Sequence, residues 1–328
     1  MSLSESSSAA IKSALPKAAQ GNAGRSWGDR LAGWPWRRIF SAVVGISIAL
    51  TMLVLGGWYF TAGFGLLVYL GLGEYFALVQ AKGAVPAVKT VTIACLAIVA
   101  ASAWMPSVAD AIVPIASTLV CFYLLFMPKM ASIADLSSSV MGLFYCGYLP
   151  SYWVRLRVGA GLALDDGAVA RLPLNGFWPE SWNPAAWPEA LTVTILAFCC
   201  IWAADIGAYI MGKWVGKTRL SDISPKKTVE GSLAGTLGSA LVGTLGAAYC
   251  HWPLWFITGP LLGLLVGVSS LLGDLIESLM KRDAGVKDSG NLIPGHGGIL
   301  DRADSYIFTA PLVYYFTTLL LPFVSQLN

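Results

Sequence analysis

Asp274, Glu277, Ser278 and Lys281 are spaced i, i+3, i+4 and i+7, which places them on one face of a helix. Further along, Asp301 and Asp304 again stand three apart. Between the two groups lie Arg282, Lys287 and the run Gly295-His296-Gly297-Gly298, with Arg302 just beyond. Glycines let a backbone approach a ligand closely, and backbone N–H groups among lysines and arginines make a phosphate-binding environment. So many acids and bases in one small site are compatible when a divalent cation and a polyphosphate are both present. Carboxylates and water hold Mg2+, and the metal and the bases hold phosphate oxygens. The chemistry indicated is metal-assisted phosphoryl or nucleotidyl transfer. Helix capping is the bland alternative for Asp301 and Asp304. It accounts for one of them but not for the glycine–histidine run.

A second polar stretch, Trp202 to Ser232, carries Asp205, Ser224, Lys226 and Lys227. Asp205 falls inside an apolar run, seven residues from its end, which is about 10 Å of helix. A carboxylate at that depth is costly and must face a polar cavity, a cation or a partner. Packing against a neighbouring helix is the alternative. The stripe from Asp274 to Lys281 is subject to the same cost, so it must line a cavity open to water.

The elements that position these residues are membrane helices. The chain has 328 residues, of which 56% are hydrophobic and 12% charged, and its mean hydropathy is +0.67. Soluble domains carry roughly 25% charged residues, so a soluble globule is excluded in favour of a polytopic membrane protein. With about 20 apolar residues per span, nine spans are expected near 38–56, 58–80, 88–105, 109–127, 134–154, 190–212, 232–250, 254–278 and 305–324. The third and fourth share a turn at Pro106, and the fifth is the most polar, opening with Asp135 and a run of serines. The expected fold class is all-α: a bundle of about nine transmembrane helices with a cytoplasm-facing polar cavity. Residues 1–37 form an amino-terminal tail and 38–154 the amino-terminal helices. Residues 155–189 form an outer loop with Trp178, Trp182 and Trp187, and 190–328 the catalytic region.

This arrangement places eighteen of the 21 Lys and Arg residues on one side and only Arg155, Arg157 and Arg171 on the other. The positive-inside rule then puts the tail and both polar stretches in the cytoplasm and the carboxyl terminus outside. The tail lacks the apolar core of a secretory signal. Its composition fits a disordered cytoplasmic tail, with a short organellar transit peptide as the alternative. None of the six cysteines makes a C-x-x-C pair, and they read as small apolar side chains packed between helices. His251, beside Trp252 on the outer side, reads as structural.

The stretch from Ser278 to Asp304, with Lys281-Arg282, Lys287-Asp288-Ser-Gly and Ile293-Pro-Gly-His-Gly-Gly-Ile-Leu-Asp301-Arg302-Ala-Asp304, closely resembles the signature of the phosphatidate cytidylyltransferase (CDP-diacylglycerol synthase) family. "DIGAY" at 205–209 and "ISPKKTVEGS" at 223–232 look like a second family block. The specific likeness covers roughly the carboxyl-terminal 40% of the chain, and the apolar first half is similar only in character. The resemblance implies a multi-helix membrane bundle, commonly a homodimer. It also implies conversion of CTP and phosphatidate to CDP-diacylglycerol and pyrophosphate, with Mg2+ and a second cation such as K+. On this reading Asp274 and Asp301 are the first candidates for metal, followed by Asp304 and Asp205. Lys226, Lys227, Lys281, Arg282 and Arg302 hold phosphates. Ser224, Lys287, Asp288, Gly297 and Gly298 line the substrate site, and His296 orients a phosphate or carboxylate or else structures its loop. Two departures stand out. Ile206 replaces the family's Thr or Ser, and Gly212-Lys213 and Gly216-Lys217 replace Gly-Arg pairs, losing arginine's bidentate fork.

Two other readings stay open. One is a CTP-dependent transferase or kinase for an isoprenoid lipid. The other is an ion-coupled transporter, since intramembrane acids also mark ion paths. The acids cluster at one face rather than crossing the bilayer, which argues against transport. The favoured setting is the plasma or inner membrane, with an organellar membrane as the alternative.

Overall fold

The computed structural model describes residues 36–128, 130–158, 187–290, 292 and 297–326, with side chains from residue 43 onward. Residues 1–35 of the tail, Trp178, Trp182 and His296 lie outside the described residues, and Trp36 and Arg37, expected in the tail, open α1. Among the described residues nine helical segments follow one another: α1 (Trp36–Leu55), α2 (Gly57–Ala81), α3 (Val88–Trp104), α4 (Pro106–Leu125), α5 (133–157), α6 (Glu189–Trp214), α7 (Val229–Tyr249), α8 (Trp255–Asp283) and α9 (Leu300–Gln326). Each expected span falls on one of them. Six, namely α2, α4, α6, α7, α8 and α9, are long and apolar enough to cross a membrane by length and composition.

Three boundaries differ from expectation, each for a local reason. Helix α8 continues past 278 to Asp283 and stops where Gly285 turns left-handed at φ +74. There Gly285 N–H bonds to Arg282 O and Val286 N–H to Lys281 O, a Schellman closure. Helix α9 begins at Leu300 rather than 305. Both shifts put Lys281, Arg282, Asp301 and Asp304 on helices. Helix α5 runs to 157, so Arg155 and Arg157 belong to it and not to the outer loop. Arg157 donates to Leu53 O at 2.6 Å and Val54 O at 2.7 Å, satisfying carbonyls at the end of α1. Arg155 pairs with Asp110 at 2.7 Å and lies 4.3 Å from the centre of the Tyr152 ring. Two arginines can therefore be buried at this end of α5 because each donates to two acceptors.

The polar opening of α5 is explained by the loop it holds. Ser132 and Asp135 form a capping box, and the same carboxylate accepts from Val85 N at 2.5 Å. Ser139 Oγ accepts from Ala87 N at 2.9 Å. These side chains fasten the α2–α3 connection. The cysteines are unpaired; Cys95, Cys146 and Cys200 are buried as expected, whereas Cys121 faces outward on α4. His251 takes φ +53 in the turn that closes α7, with Trp252 N bonded to Ala247 O, in keeping with its structural reading.

Helix α7 packs between α6 and α8 through small residues. A Cβ on Gly235 would collide with Ala204 O of α6, and one on Gly263 with Ser239 O of α7. Backbones in lipid approach this closely only where side chains are absent. Gly273 of α8 lies in the same way against the carbonyl of Asp304. These contacts draw α6, α8 and α9 together at the end where their acidic residues lie.

Candidate active site

The connection between α6 and α7 is a tight loop. Leu220 N bonds to Lys227 O, and Val229 N to Thr218 O. At its tip Lys227 N returns to Ser224 O at 3.0 Å, a turn in which Pro225 presets the backbone. Glu230, in the first turn of α7, accepts from the N–H groups of Lys217 and Thr218. The turn leaves Lys226 exposed and sends Lys227 inward, where its ammonium meets Asp274 Oδ2 at 2.5 Å.

Two further carboxylates, Asp205 and Asp304, come from other helices to join this pair. Asp205 of α6 accepts from Ser270 Oγ of α8 at 3.3 Å. Asp274 stands one helical turn beyond Ser270, about one-third exposed, and accepts from Ser278 Oγ at 3.3 Å. Asp304 of α9 is buried and accepts from Ser305 N at 2.7 Å. The charges of Asp205, Asp274 and Asp304 act on one another, and Lys227 acts on Asp205 and Asp304 as well as pairing with Asp274. Ile206, the departure from the family pattern, points outward and is 58% exposed.

The rest of the stripe is paired differently. Glu277 is fully buried, with Oε2 in contact with the Lys281 ammonium and Oε1 lacking a hydrogen-bond partner. Lys281 also reaches Asp301 Oδ1 at 2.5 Å. Asp301 Oδ2 accepts from Gly298 N at 2.8 Å, Ser289 N at 2.9 Å and Ser289 Oγ at 3.0 Å. The first turn of α9 is thereby clamped to the end of α8. Arg282, Lys287, Asp288 and Arg302 are exposed around it, and Gly297 turns at φ +84 directly over Asp301.

The structure thus brings Asp205, Lys227, Asp274 and Asp304 into one group and sets Lys281 and Asp301 beside it as a clamp. Lys213 and Lys217 lie exposed on the α6 side. Sequence reasoning missed Glu74, whose carboxylate on α2 accepts from Ile299 N and Leu300 N, both at 2.9 Å. The signal was an isolated acid in an otherwise apolar 25-residue helix, which by the cost of burying charge in lipid is a site candidate.

The acidic group suits a hard cation in its chemistry, since its donors are carboxylate and hydroxyl oxygens. Among the described residues no three acidic, histidine or cysteine side chains stand close enough to hold a bare ion as they are. Mg2+ is commonly bound by one or two carboxylates with water and substrate phosphates completing its shell, and the group fits that use.

An apolar helical bundle that gathers three acids and a lysine where its helices meet defines an integral membrane enzyme of phosphate chemistry. Residues 36–320 match the model of the cytidylyltransferase family, and the chain belongs to that family. It is 66% identical over 294 residues, covering 89% of this chain and 100% of the relative, to a phosphatidate cytidylyltransferase of Synechocystis sp.. It is 42% identical over 292 residues to the chloroplastic phosphatidate cytidylyltransferase 4 of Arabidopsis thaliana, covering 85% of this chain and 72% of that one. A Bacillus subtilis phosphatidate cytidylyltransferase is 45% identical over 130 residues, covering 39% and 48% of the two chains.

Proposed function

We propose that the chain makes CDP-diacylglycerol at the group formed by Asp205, Lys227, Asp274 and Asp304. It is a nucleotidyltransferase of phospholipid biosynthesis that takes CTP and phosphatidate as substrates. The family match across 36–320 together with 66% identity to a phosphatidate cytidylyltransferase carries this reading. The site opens to the cytoplasm, a sidedness supported by the eighteen basic residues that count to that face.

An oxygen of the phosphatidate phosphate attacks the α-phosphorus of CTP. The new O–P bond forms as the bond from the α-phosphorus to the bridging oxygen breaks, and pyrophosphate leaves with the electron pair. The nucleophile is already an anion, so alignment and charge neutralisation matter more than a general base. Lys227 is paired with Asp274 before substrate arrives. An incoming phosphate can take Lys227, leaving the Asp274 carboxylate for a cation. Asp274 is the first ligand we assign to Mg2+, with Asp205 and Asp304 beside it and Asp301 available on release of Lys281. Mg2+ bound there supplies neutralisation of charge on the phosphate oxygens. Lys226, Arg282 and Arg302 complete the basic surround, and Ser224, Lys287, Asp288, Gly297 and Gly298 border it. We place His296 among the groups that orient a phosphate.

Purified protein given phosphatidate vesicles, CTP and Mg2+ should form CDP-diacylglycerol and release one pyrophosphate per lipid product. EDTA should abolish both. Absence of a lipid-linked cytidine nucleotide, or lipid phosphorylation with release of CDP, would overturn the reading.

A further inference from the structure

We infer that Glu74 of α2 is a positioning residue for the transfer reaction, holding the start of α9 at the height where Asp301 and Asp304 face α8. The inference rests on the proposed function for its kinetic consequence only. A helix start leaves four N–H groups without intrahelical partners. Ser, Thr, Asn or Asp just before the helix usually satisfies one of them. Helix α9 has Ile299 in that place, with no side chain able to accept. Glu74 substitutes from 225 residues away, Oε1 accepting from Ile299 N and Oε2 from Leu300 N. Oε2 also accepts from Ser289 Oγ at 3.0 Å, and that same hydroxyl lies 3.0 Å from Asp301 Oδ2.

The backbone lies close against the Glu74 carboxylate. A Cβ on Gly290 would stand 2.5 Å from Glu74 Oε1, and one on Gly298 would collide with Glu74 Oε2 and Ser289 Oγ. Gly290 and Gly298 thus both stand against the one carboxylate. Gly71, one turn earlier on α2, has Ile299 at 4.0 Å from its would-be Cβ, so the helix and the loop also meet through apolar atoms.

Three contacts bear on where Asp304 stands, and one is Trp153 Nε1 of α5 donating to Tyr306 O, two residues along α9. The contact of Gly273 with the Asp304 carbonyl fixes the separation of α8 from α9. Glu74 fixes where α9 begins along its axis. Without it the clamp formed by Asp301 and Lys281 would remain, but Ile299 N and Leu300 N would lose their acceptor. The amino-terminal helices are on this account part of the catalytic scaffold, through Glu74 of α2 and also through Trp153 of α5, whose Nε1 donates to Tyr306 O at 3.0 Å.

Glu74→Gln retains the shape and one acceptor but turns an N–H2 group toward backbone donors. Hydrogen exchange read by mass spectrometry should show amides in the segment 287–301 exchanging about tenfold faster, by loss of roughly 1.4 kcal/mol of local protection. Segments of α6 and α7 should be unchanged. In the CDP-diacylglycerol assay kcat should fall about tenfold, while KM for CTP and for phosphatidate stays within about twofold, the pattern of an interaction lost in the transition state. The melting temperature should stay near that of the parent. Ser289→Ala, which cuts the Glu74–Asp301 link with a smaller change, should show both effects more weakly, and it decides the matter if Glu74→Gln does not fold. Unchanged exchange in 287–301, or kcat within twofold of the parent, overturns the inference. An inactive parent protein would instead sink the proposed function, leaving the exchange result to judge Glu74.

Discussion

Asp274→Asn should lower turnover by about 100-fold or more, the effect seen when one key electrostatic group is removed from a preorganised site. The change is isosteric and removes only the charge, and an uncharged amide is cheaper to bury than a carboxylate. The Ser278 hydroxyl at 3.3 Å keeps an acceptor in the amide oxygen. Lys227, now 2.5 Å from the carboxylate, loses its partner but is only partly buried and can turn to water or phosphate. Folding should therefore survive, and the loss should appear in kcat. Melting temperature and far-UV circular dichroism alongside initial rates check this. A variant with rates near the parent's would place the essential charge elsewhere.

Lys281→Ala should have the largest effect on stability. Lys281 stands between two carboxylates, and one of them, Glu277, has no exposure. Removing one partner of a buried ion pair leaves an uncompensated charge and costs about 3–5 kcal/mol. Asp301 suffers less, because three donors from Ser289 and Gly298 remain on it. The variant should melt far below the parent in detergent. The double variant Glu277→Leu/Lys281→Met, which removes both charges and fills similar volume, should recover most of the loss. A lysine reserved for substrate phosphate would give the opposite result: unchanged melting and a raised KM. The geometry favours the structural part, since the ammonium is occupied on two sides before any substrate arrives.

These two residues show what could be read from the sequence and what could not. Helical spacing placed Asp274, Glu277, Ser278 and Lys281 on one face, and they do share it. It could not divide the face, because division depends on what packs opposite. Asp274 meets the loop lysine of another connection, whereas Glu277 is closed in by its own neighbour at i+4. The places of the nine described helices were visible in the apolar runs, although only six meet the length and apolarity of a span, and their ends were not visible. The end of α8 depends on a left-handed Gly285, and the start of α9 on acceptors that are not in its own sequence. Arg155 and Arg157 looked like loop residues because charge normally ends a span. Their burial depends on Asp110, Ser102 and the last carbonyls of α1, partners set by tertiary packing. Glu74 was hidden for a different reason. The motif it serves lies in the other half of the chain, and only the isolation of its charge marked it.

In the proposed site, carboxylates from α6, α8 and α9 together hold one cation and the nucleotide. Electron paramagnetic resonance of Mn2+, used in place of Mg2+, tests it without reliance on turnover. Purified protein titrated with Mn2+ and CTP should show a bound-metal signal that strengthens when CTP is present. In the Asp274→Asn variant the apparent affinity should fall about tenfold or more, equivalent to roughly 1.4 kcal/mol. Identical Mn2+ binding by the parent and the variant, with and without CTP, would contradict the account.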